Sequence, residues 1–248
     1  MRRVADEDLA RLTDRDREVL VLLYRFHWLA ASQLSDPWFP SVVAARHRLG
    51  VLAQLGLTRW VRVQDAGGAG RCLWGLTPEG ARAARLLAGE AVRPRRVESR
   101  TEALLNWRHH LELGQLFVDL TRRLGSGAFR WEADREVCLR FPSVLSGPGP
   151  TVIWPDARVT LDGGAAALVE YDRGTMARRA MVEKFRRYAE YFRERRAGEK
   201  LLVIALDAAR RRDLKGILGA ERCPGTVGAR DEILAQLLAA GPADGGGT

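Results

Sequence analysis

The sequence predicts an α+β or α/β protein of two domains, in which a small domain of helices and a β-ribbon precedes a larger domain with a mixed sheet and flanking helices. Three observations support this fold class. The length of 248 residues suits one large domain or two small ones. Helical apolar periodicity, interrupted by one ribbon, dominates the first 90 residues. After residue 100, amphipathic helices enclose short alternating strands and one continuous apolar run.

The composition is that of a globular protein with a basic surface. Hydrophobic residues make up 46% of the chain, and its net charge is +9. A strongly positive protein favours a polyanionic partner, which is most often nucleic acid. A well-solvated basic surface without such a partner is the alternative.

Cysteine usage and hydropathy indicate the cellular compartment. Cys72, Cys138 and Cys223 are far apart and have no paired spacing. This argues against a disulfide framework and a zinc site, and it fits a reducing environment. No apolar run approaches about 18 residues, so we expect no membrane span, and the first residues lack the apolar core of a signal peptide. The sequence therefore predicts a cytoplasmic protein.

The first domain is predicted over residues 1–90, with residues 1–12 as a short leader. Capping residues place its helices, because Ser and Thr side chains satisfy the free N–H groups at a helix start. Proline at the first helical position supports the last of these helices. The predicted elements are a helix capped by Thr13, a short helix at 31–35, a helix from Ser41 to Leu55, strands at 58–63 and 72–76, and a helix that begins at Thr77.

Three helices, a two-stranded ribbon and a closing helix form a winged helix-turn-helix, in which the helix after Ser41 is the recognition helix. The run Leu76-Thr77-Pro78-Glu79-Gly80 resembles the "L-T-x-x-G" exit of bacterial winged-helix regulators. Residues 37–64 contain no acid but several basic residues, the pattern expected of a surface that faces DNA. We therefore predict double-stranded DNA as partner; a winged helix that binds protein is the alternative. The predicted DNA-binding residues are Ser41, Arg46, His47, Arg48, Arg59 and Arg62.

The second domain is predicted over residues 101–240. Residues 91–100 are interpreted as a basic linker, either lying along phosphates or simply solvated, and residues 241–248 as a disordered tail. The predicted elements are a helix at 101–124, strands at 129–141, 152–159 and 167–172, a helix at 176–196, a buried strand at 200–206, and helices at 208–218 and 230–239.

Two acids, Asp156 and Glu170, are predicted on adjacent strands that join at a Gly-Gly hairpin turn. A buried carboxylate is costly unless it is paired or bound to metal, and two neighbouring carboxylates can hold Mg²⁺. Lys184 lies on the flank of the apolar face of the next helix, and its side chain can reach toward Glu170. At that position its ammonium can hold a phosphate. It is one of only three lysines among 40 basic residues, which suggests a need for a compact ammonium.

The order helix, three strands, helix, strand resembles the restriction-endonuclease-like core, whose PD-(D/E)xK motif places Pro-Asp on one strand and Glu-x-Lys on the next. Pro155-Asp156 and Glu170-Tyr171-Asp172 fit this frame, except that Asp172 takes the lysine position and Lys184 can replace that lysine. With the winged helix and the run from Glu170 to Tyr188, the chain resembles the replication-relaxation family of Gram-positive and actinobacterial plasmids and integrative elements. The resemblance covers roughly residues 12–220. Family members join a winged helix to a nuclease-like domain, and some resemble relaxases that mobilise plasmids.

The resemblance implies a role for each acid. Asp156 and Glu170 would bind Mg²⁺ or Mn²⁺, Asp172 would be a third acid for metal or water, and Lys184 would contact the scissile phosphate. The expected function is then a metal-dependent DNA nickase or relaxase-like nuclease in replication or mobilisation. Partners would be double-stranded DNA and replication or mobilisation proteins, with a homodimer as one option.

A non-catalytic function is the alternative. The displaced lysine also fits a replication initiator or transcriptional regulator whose second domain only dimerises or docks. The chain lacks the histidine-hydrophobic-histidine cluster of the common tyrosine relaxases. Tyr171, Tyr188 and Tyr191 are available as nucleophiles, but we expect aromatic packing for each.

Overall fold

The computed structural model describes residues 11–64, 68–89, 97–133, 136–142, 149–195 and 198–240. Most of the predicted leader, most of the linker and the predicted tail lie outside these residues. The chain divides into two compact units, residues 1–118 and 119–248. The helices are α1 (Asp14–Phe26), α2 (Ala31–Leu34), α3 (Val42–Gln54), α4 (Pro78–Leu87), α5 (Arg100–Leu124), α6 (Arg178–Arg195), α7 (Ala208–Ala220) and α8 (Arg230–Ala239). The strands are β1 (Leu29–Ala30), β2 (Thr58–Gln64), β3 (Gly70–Leu76), β4 (Phe129–Ala133), β5 (Leu139–Pro142), β6 (Pro150–Ile153), β7 (Ala157–Leu161), β8 (Ala166–Asp172), β9 (Lys200–Ala205) and β10 (Gly225–Gly228).

The first unit contains a three-stranded antiparallel sheet in the order β1-β3-β2. The hairpin β2–β3 is the predicted ribbon. Strand β1 was not predicted, because two residues carry no periodicity; in the structure Leu29 pairs with Trp74. Thr13, Ser41 and Thr77 each accept a hydrogen bond from the backbone N–H three residues on, which confirms the three predicted N-caps. The assignment of these elements to a winged helix-turn-helix stays an interpretation.

The turn from β3 into α4 requires glycine at its end. A Cβ on Gly80 would lie 1.8 Å from the carbonyl oxygen of Leu57, which also accepts a hydrogen bond from the Thr77 N–H at 3.1 Å. We expect Gly80→Ala to lower the free energy of unfolding by at least the roughly 1–3 kcal/mol typical of overpacking, measured by thermal unfolding. Gly50→Ala on α3 is the control, since its Cβ would meet nothing within 4 Å. A Gly80→Ala protein that melts with the wild type would contradict this account of the turn.

Helix α5 begins in the first unit. Leu111 is buried in a cluster with Trp28 and Leu73. The sequence placed the start of the second domain at the beginning of this helix, whereas the compact units divide after Val118. The reason is that Leu111, near the middle of α5, packs against Leu73 of the hairpin, a contact that helical periodicity alone does not reveal.

The second unit is built on a five-stranded mixed sheet in the order β10-β9-β8-β7-β4. The pairs β4–β7 and β7–β8 are antiparallel, and β8–β9 and β9–β10 are parallel. Leu168 and Val203 lie in one buried cluster with Phe185 of α6 and Ile217 of α7. Helices α6 and α7 therefore cover one face of the sheet. Strands β5 and β6 form a separate two-stranded sheet.

Two strands predicted as continuous are each divided in two. The predicted strand at 152–159 is β6 and β7, separated by Trp154, Pro155 and Asp156, and the predicted strand at 129–141 is β4 and β5. Proline has no N–H to donate and interrupts a strand ladder, so Asp156 lies in a bend directly before β7. None of the helices in the described part of the chain is long and apolar enough to span a membrane.

Candidate active site

Asp156 and Glu170 are adjacent in the second unit. Ala157 pairs with Val169 in the β7–β8 hairpin, so one step further Asp156 stands opposite Glu170. The backbone N–H of Tyr171 donates to Asp156 Oδ2 at 2.7 Å, which fixes the aspartate at this end of the hairpin. Glu170 is buried and Asp156 is partly buried. The predicted pairing of the two acids is therefore present, with Asp156 before a strand rather than within it.

Two side chains of α6 bind the buried carboxylate of Glu170. Lys184 Nζ donates to Oε2 at 2.6 Å, and the Tyr188 hydroxyl donates to Oε1 at 2.5 Å. Residues four apart on a helix lie on the same face, so one face of α6 provides both donors. The sequence predicted that Lys184 would reach Glu170. It treated Tyr188 as a packing residue and missed its hydrogen bond, although the four-residue spacing from Lys184 was the available signal.

Burial and the neighbouring charges both shift the pKa values of Glu170 and Lys184. Burial, and after it the charge of Asp156, raise the pKa of Glu170 to about 7, although the interactions with Lys184 and Tyr188 lower it in part. Burial lowers the pKa of Lys184, but the two carboxylates outweigh burial and the pKa is raised overall. The site thus holds two mutually repelling acids beside one ammonium, and a divalent cation would stabilise their ionised forms.

Asp172 is held by a partner that the sequence did not suggest. Arg210 Nε donates to Asp172 Oδ2 at 2.7 Å, and Nη2 donates to Oδ1 at 3.2 Å. The same Nη2 donates to the carbonyl of Met176 at 3.1 Å. This bidentate pair gives both oxygens of Asp172 a partner within the protein, and the use of Asp172 as a third acid for metal or water stays a prediction. Within the described residues, no group of three or more His, Cys, Asp or Glu side chains is placed to hold a metal ion.

The donor set of Asp156 and Glu170 fits Mg²⁺ or Mn²⁺ as a pair. Mg²⁺ commonly keeps several waters and uses one or two protein carboxylates together with substrate phosphates. An ion on these two acids would have Lys184 beside it, because Lys184 already contacts Glu170.

Comparison with known proteins identifies the family. The model of the replication-relaxation family matches residues 20–204. The chain belongs to the replication-relaxation family. This confirms the family resemblance found in the sequence.

Two solved structures resemble this replication-relaxation protein distantly. The restriction endonuclease FokI matches with 13% identity and a TM-score of 0.32, over 91% of this chain and 45% of the FokI chain. FokI bound to DNA matches with 13% identity and a TM-score of 0.30, over the same shares of the two chains. The chain thus spans less than half the length of FokI. No curated protein matches its sequence.

Some of the predicted DNA-binding residues of the replication-relaxation protein lie on an exposed surface of the first unit. Ser41, Arg46 and His47 are exposed on α3 or at its start, and Arg62 is exposed on β2. Burial raises the pKa of the Cys72 thiol, and the positive charges of Arg46 and Arg62 oppose this rise. Both arginines therefore lie near the same thiol, so α3 and the hairpin contribute to one basic surface.

Two exposed apolar side chains accompany these basic residues and were not singled out by the sequence. Val43 is 74% exposed on α3, three residues before Arg46, and Trp60 is 58% exposed on β2, two residues before Arg62. Spacings of three on a helix and two on a strand place each apolar side chain on the same face as its arginine. Groups that can contact bases and groups that can contact phosphates thus share this surface.

Arg48 and Arg59 were also predicted to bind DNA, but each has partners within the protein. Arg48 donates to both carboxylate oxygens of the fully buried Asp16, at 2.7 and 2.5 Å. Arg59 donates to the carbonyl of Leu76 at 3.0 Å and lies over the ring of Trp28 at 5.0 Å. The absence of acids from residues 37–64 does not leave these arginines without partners, because their partners come from outside that window; their contact with DNA stays a prediction.

Proposed function

We propose that the protein is a metal-dependent DNA nickase or relaxase-like nuclease that acts in the replication or mobilisation of a plasmid or mobile element. The observation that carries the proposal is the juxtaposition of Asp156, Glu170 and Lys184 at one end of the β7–β8 hairpin. A bound Mg²⁺ or Mn²⁺ would polarise the phosphate and lower the pKa of a bound water. Membership of the replication-relaxation family supports a role connected with DNA replication.

Each side chain has a distinct task in this proposal. Asp156 and Glu170 hold the ion. Lys184, whose side chain is 27% exposed, holds the scissile phosphate while remaining close to Glu170. Tyr188 is fully buried and orients Glu170 through its hydroxyl, which makes it a positioning residue.

Water is favoured over tyrosine as the nucleophile. Burial and the neighbouring Glu170 raise the pKa of Tyr188 well above its ordinary value, so its phenol keeps its proton. Tyr171 and Tyr191 are also buried. A buried phenol is poorly placed to attack the phosphate of a DNA strand, so we expect hydrolysis to leave no tyrosine joined to the DNA.

The decisive experiment is nicking of supercoiled plasmid in Mg²⁺, Mn²⁺ and EDTA. The proposal requires conversion to the open circle with either cation and none in EDTA. The product, treated with protease or left untreated, should run identically on a denaturing gel, because no covalent protein–DNA adduct forms. Intact plasmid in both cations, with duplex binding retained, would exclude the nuclease.

For the first unit we propose duplex binding through α3 and the β2–β3 hairpin. We expect Arg46→Ala with Arg62→Ala to weaken binding and to flatten the log–log salt dependence by about 0.9 for each phosphate that the protein no longer neutralises. The measurement is fluorescence anisotropy with a labelled duplex across a salt series.

The matched control removes the same charge from α4, as Arg82→Ala with Arg85→Ala, since both of these arginines are exposed. An equal decrease in affinity in the two double variants would mean that net charge, and not this surface, determines binding. An unchanged slope for the Arg46 and Arg62 double variant would exclude the surface from the interface.

A second candidate function is a non-catalytic replication initiator or regulator whose second unit dimerises or docks. The observation in its favour is that both oxygens of Glu170 and both oxygens of Asp172 already accept hydrogen bonds from side chains of the protein. Acids satisfied in this way are compatible with a purely structural role. This candidate would be favoured if added metal neither caused nicking nor changed the thermal unfolding of the protein.

A further inference from the structure

Exposed apolar side chains of the second unit occur beside the acid site. Among the described residues of this unit, the strongly exposed large apolar side chains are Trp154 at 48%, Met176 at 39% and Leu206 at 55%. Each belongs to a short connection rather than to a helix or strand. An exposed tryptophan buries a large apolar surface when it binds a ligand. Trp154 is therefore a candidate contact for a binding partner.

The backbone brings these three side chains to one edge of the sheet. Trp154 is two residues before Asp156, and the intervening Pro155 is buried. Leu206 directly follows Ala205, the register partner of Asp172 on the parallel strand β9.

Met176 is tied to the same edge through Arg210. The Arg210 guanidinium donates to both the Met176 carbonyl and the Asp172 carboxylate. The three apolar residues therefore lie in connections at the same end of the strands that carry the acids.

We propose that Trp154 is a stacking platform for an unpaired base of the DNA strand whose phosphate lies at Asp156, Glu170 and Lys184. The position of that phosphate rests on the proposed function. Trp154 and Asp156 are separated by one residue, so their Cα atoms lie at most roughly 7 Å apart, about the distance between successive phosphates of an extended strand. A base next to the phosphate at the acids is thus within reach of the indole.

The substrate class follows from the geometry of stacking. The faces of bases in continuous duplex are covered by their neighbours, whereas an indole accepts the open face of any unpaired base. The site therefore takes DNA that is single-stranded or locally opened where it is cut. Met176 and Leu206 provide apolar contact for the sugar or for a second base.

Charge selects a DNA strand over a second copy of this chain as the occupant. Arg173 is exposed on the connection that carries Met176, Arg179 is exposed at the start of α6, and Arg212 is exposed on α7. Two copies joined through this edge would bring these arginines together, and like charges in contact are repulsive. A phosphodiester backbone would instead be attracted to them.

The test is binding of a single-stranded oligonucleotide to the full chain in Ca²⁺, followed by quenching of tryptophan fluorescence and by anisotropy. Trp154→Ala should weaken binding roughly 5- to 150-fold, the range found when a base-stacking aromatic is removed, and should lose much of the quenching. Trp154→Phe should restore most of the affinity. Affinity for fully paired duplex should change little, because the surface assigned to it lies in the first unit.

The outcomes separate this inference from the proposed function. If the wild type nicks plasmid but Trp154→Ala binds and cleaves single strands like the wild type, the stacking role is wrong and the nuclease stands. If the wild type never nicks but Trp154→Ala still loses single-strand affinity, the platform is right and the nuclease is wrong. If Trp154→Ala only shifts sedimentation from dimer to monomer, a second copy covers the indole and the inference is overturned.

Discussion

Asp156→Asn is expected to abolish metal-dependent nicking while the protein stays folded and keeps its affinity for duplex DNA. Losing a direct ligand should reduce turnover by at least about 100-fold, since even partners of metal ligands cost about 10–100-fold. The stability change should be small. Asparagine can still accept from the Tyr171 N–H, and the change removes the charge that repels Glu170. The measurements are the plasmid assay and thermal unfolding in EDTA and in Mn²⁺.

Thermal unfolding in Mn²⁺ tests whether the decreased turnover of Asp156→Asn results from lost metal binding. Wild type should gain about 2.7 kcal/mol of unfolding free energy at a free ion concentration 100 times Kd, and Asp156→Asn should gain much less. The control is Asp162→Asn, an exposed acid at the opposite end of the same hairpin, which should behave as wild type. If Asp156→Asn melts far lower in EDTA, and Mn²⁺ does not stabilise the wild type, the acids are structural and the regulator is the better description.

Arg48→Ala is expected to lower the free energy of unfolding by about 1.5–3 kcal/mol, because the buried carboxylate of Asp16 loses its guanidinium and keeps only the hydrogen bonds from Thr13. Arg46→Ala, two residues earlier on the same helix, should stay within about 0.5 kcal/mol of wild type, as is usual at the surface. Denaturant unfolding of both variants at pH 7 gives the comparison. If Arg48→Ala were fully stable but weakened duplex binding, Arg48 would belong to the DNA surface.

The destabilisation in Arg48→Ala should depend on pH. Burial raises the pKa of Asp16, but hydrogen bonds from Arg48 and Thr13 outweigh burial and the pKa is lowered overall. A carboxyl whose pKa is lowered on folding stabilises the protein above its ordinary pKa and loses that contribution as the pH falls through the folded value. The difference between wild type and Arg48→Ala should therefore be complete above about pH 4 and shrink in more acid solution.

Local signals in the sequence predicted most of the elements. Capping and periodicity depend on residues within a few positions, so the helices that follow Thr13, Ser41 and Thr77 appear where expected. The hairpin turn after β7 likewise placed Asp156 opposite Glu170. The break at Pro155 was also visible in the sequence, but the apolar alternation around it favoured one strand.

Pairings between distant residues could not be predicted in this way. Asp16 is 32 residues from Arg48, and Asp172 is 38 residues from Arg210. Charge composition shows that arginines are abundant but not which of them meet an acid in the folded protein. For that reason the sequence did not reveal that Arg48 pairs with Asp16 or that Asp172 pairs with Arg210.

The hydrogen bonds of Glu170 also bear on how the protein would be handled and regulated. Lys184 and Tyr188 satisfy its carboxylate from within the chain, so the second unit does not depend on an ion to complete its core, unlike a zinc finger that folds only with its metal. Chelation should therefore silence such an enzyme reversibly, and adding Mg²⁺ to chelated protein should restore activity without the lag of a refolding step.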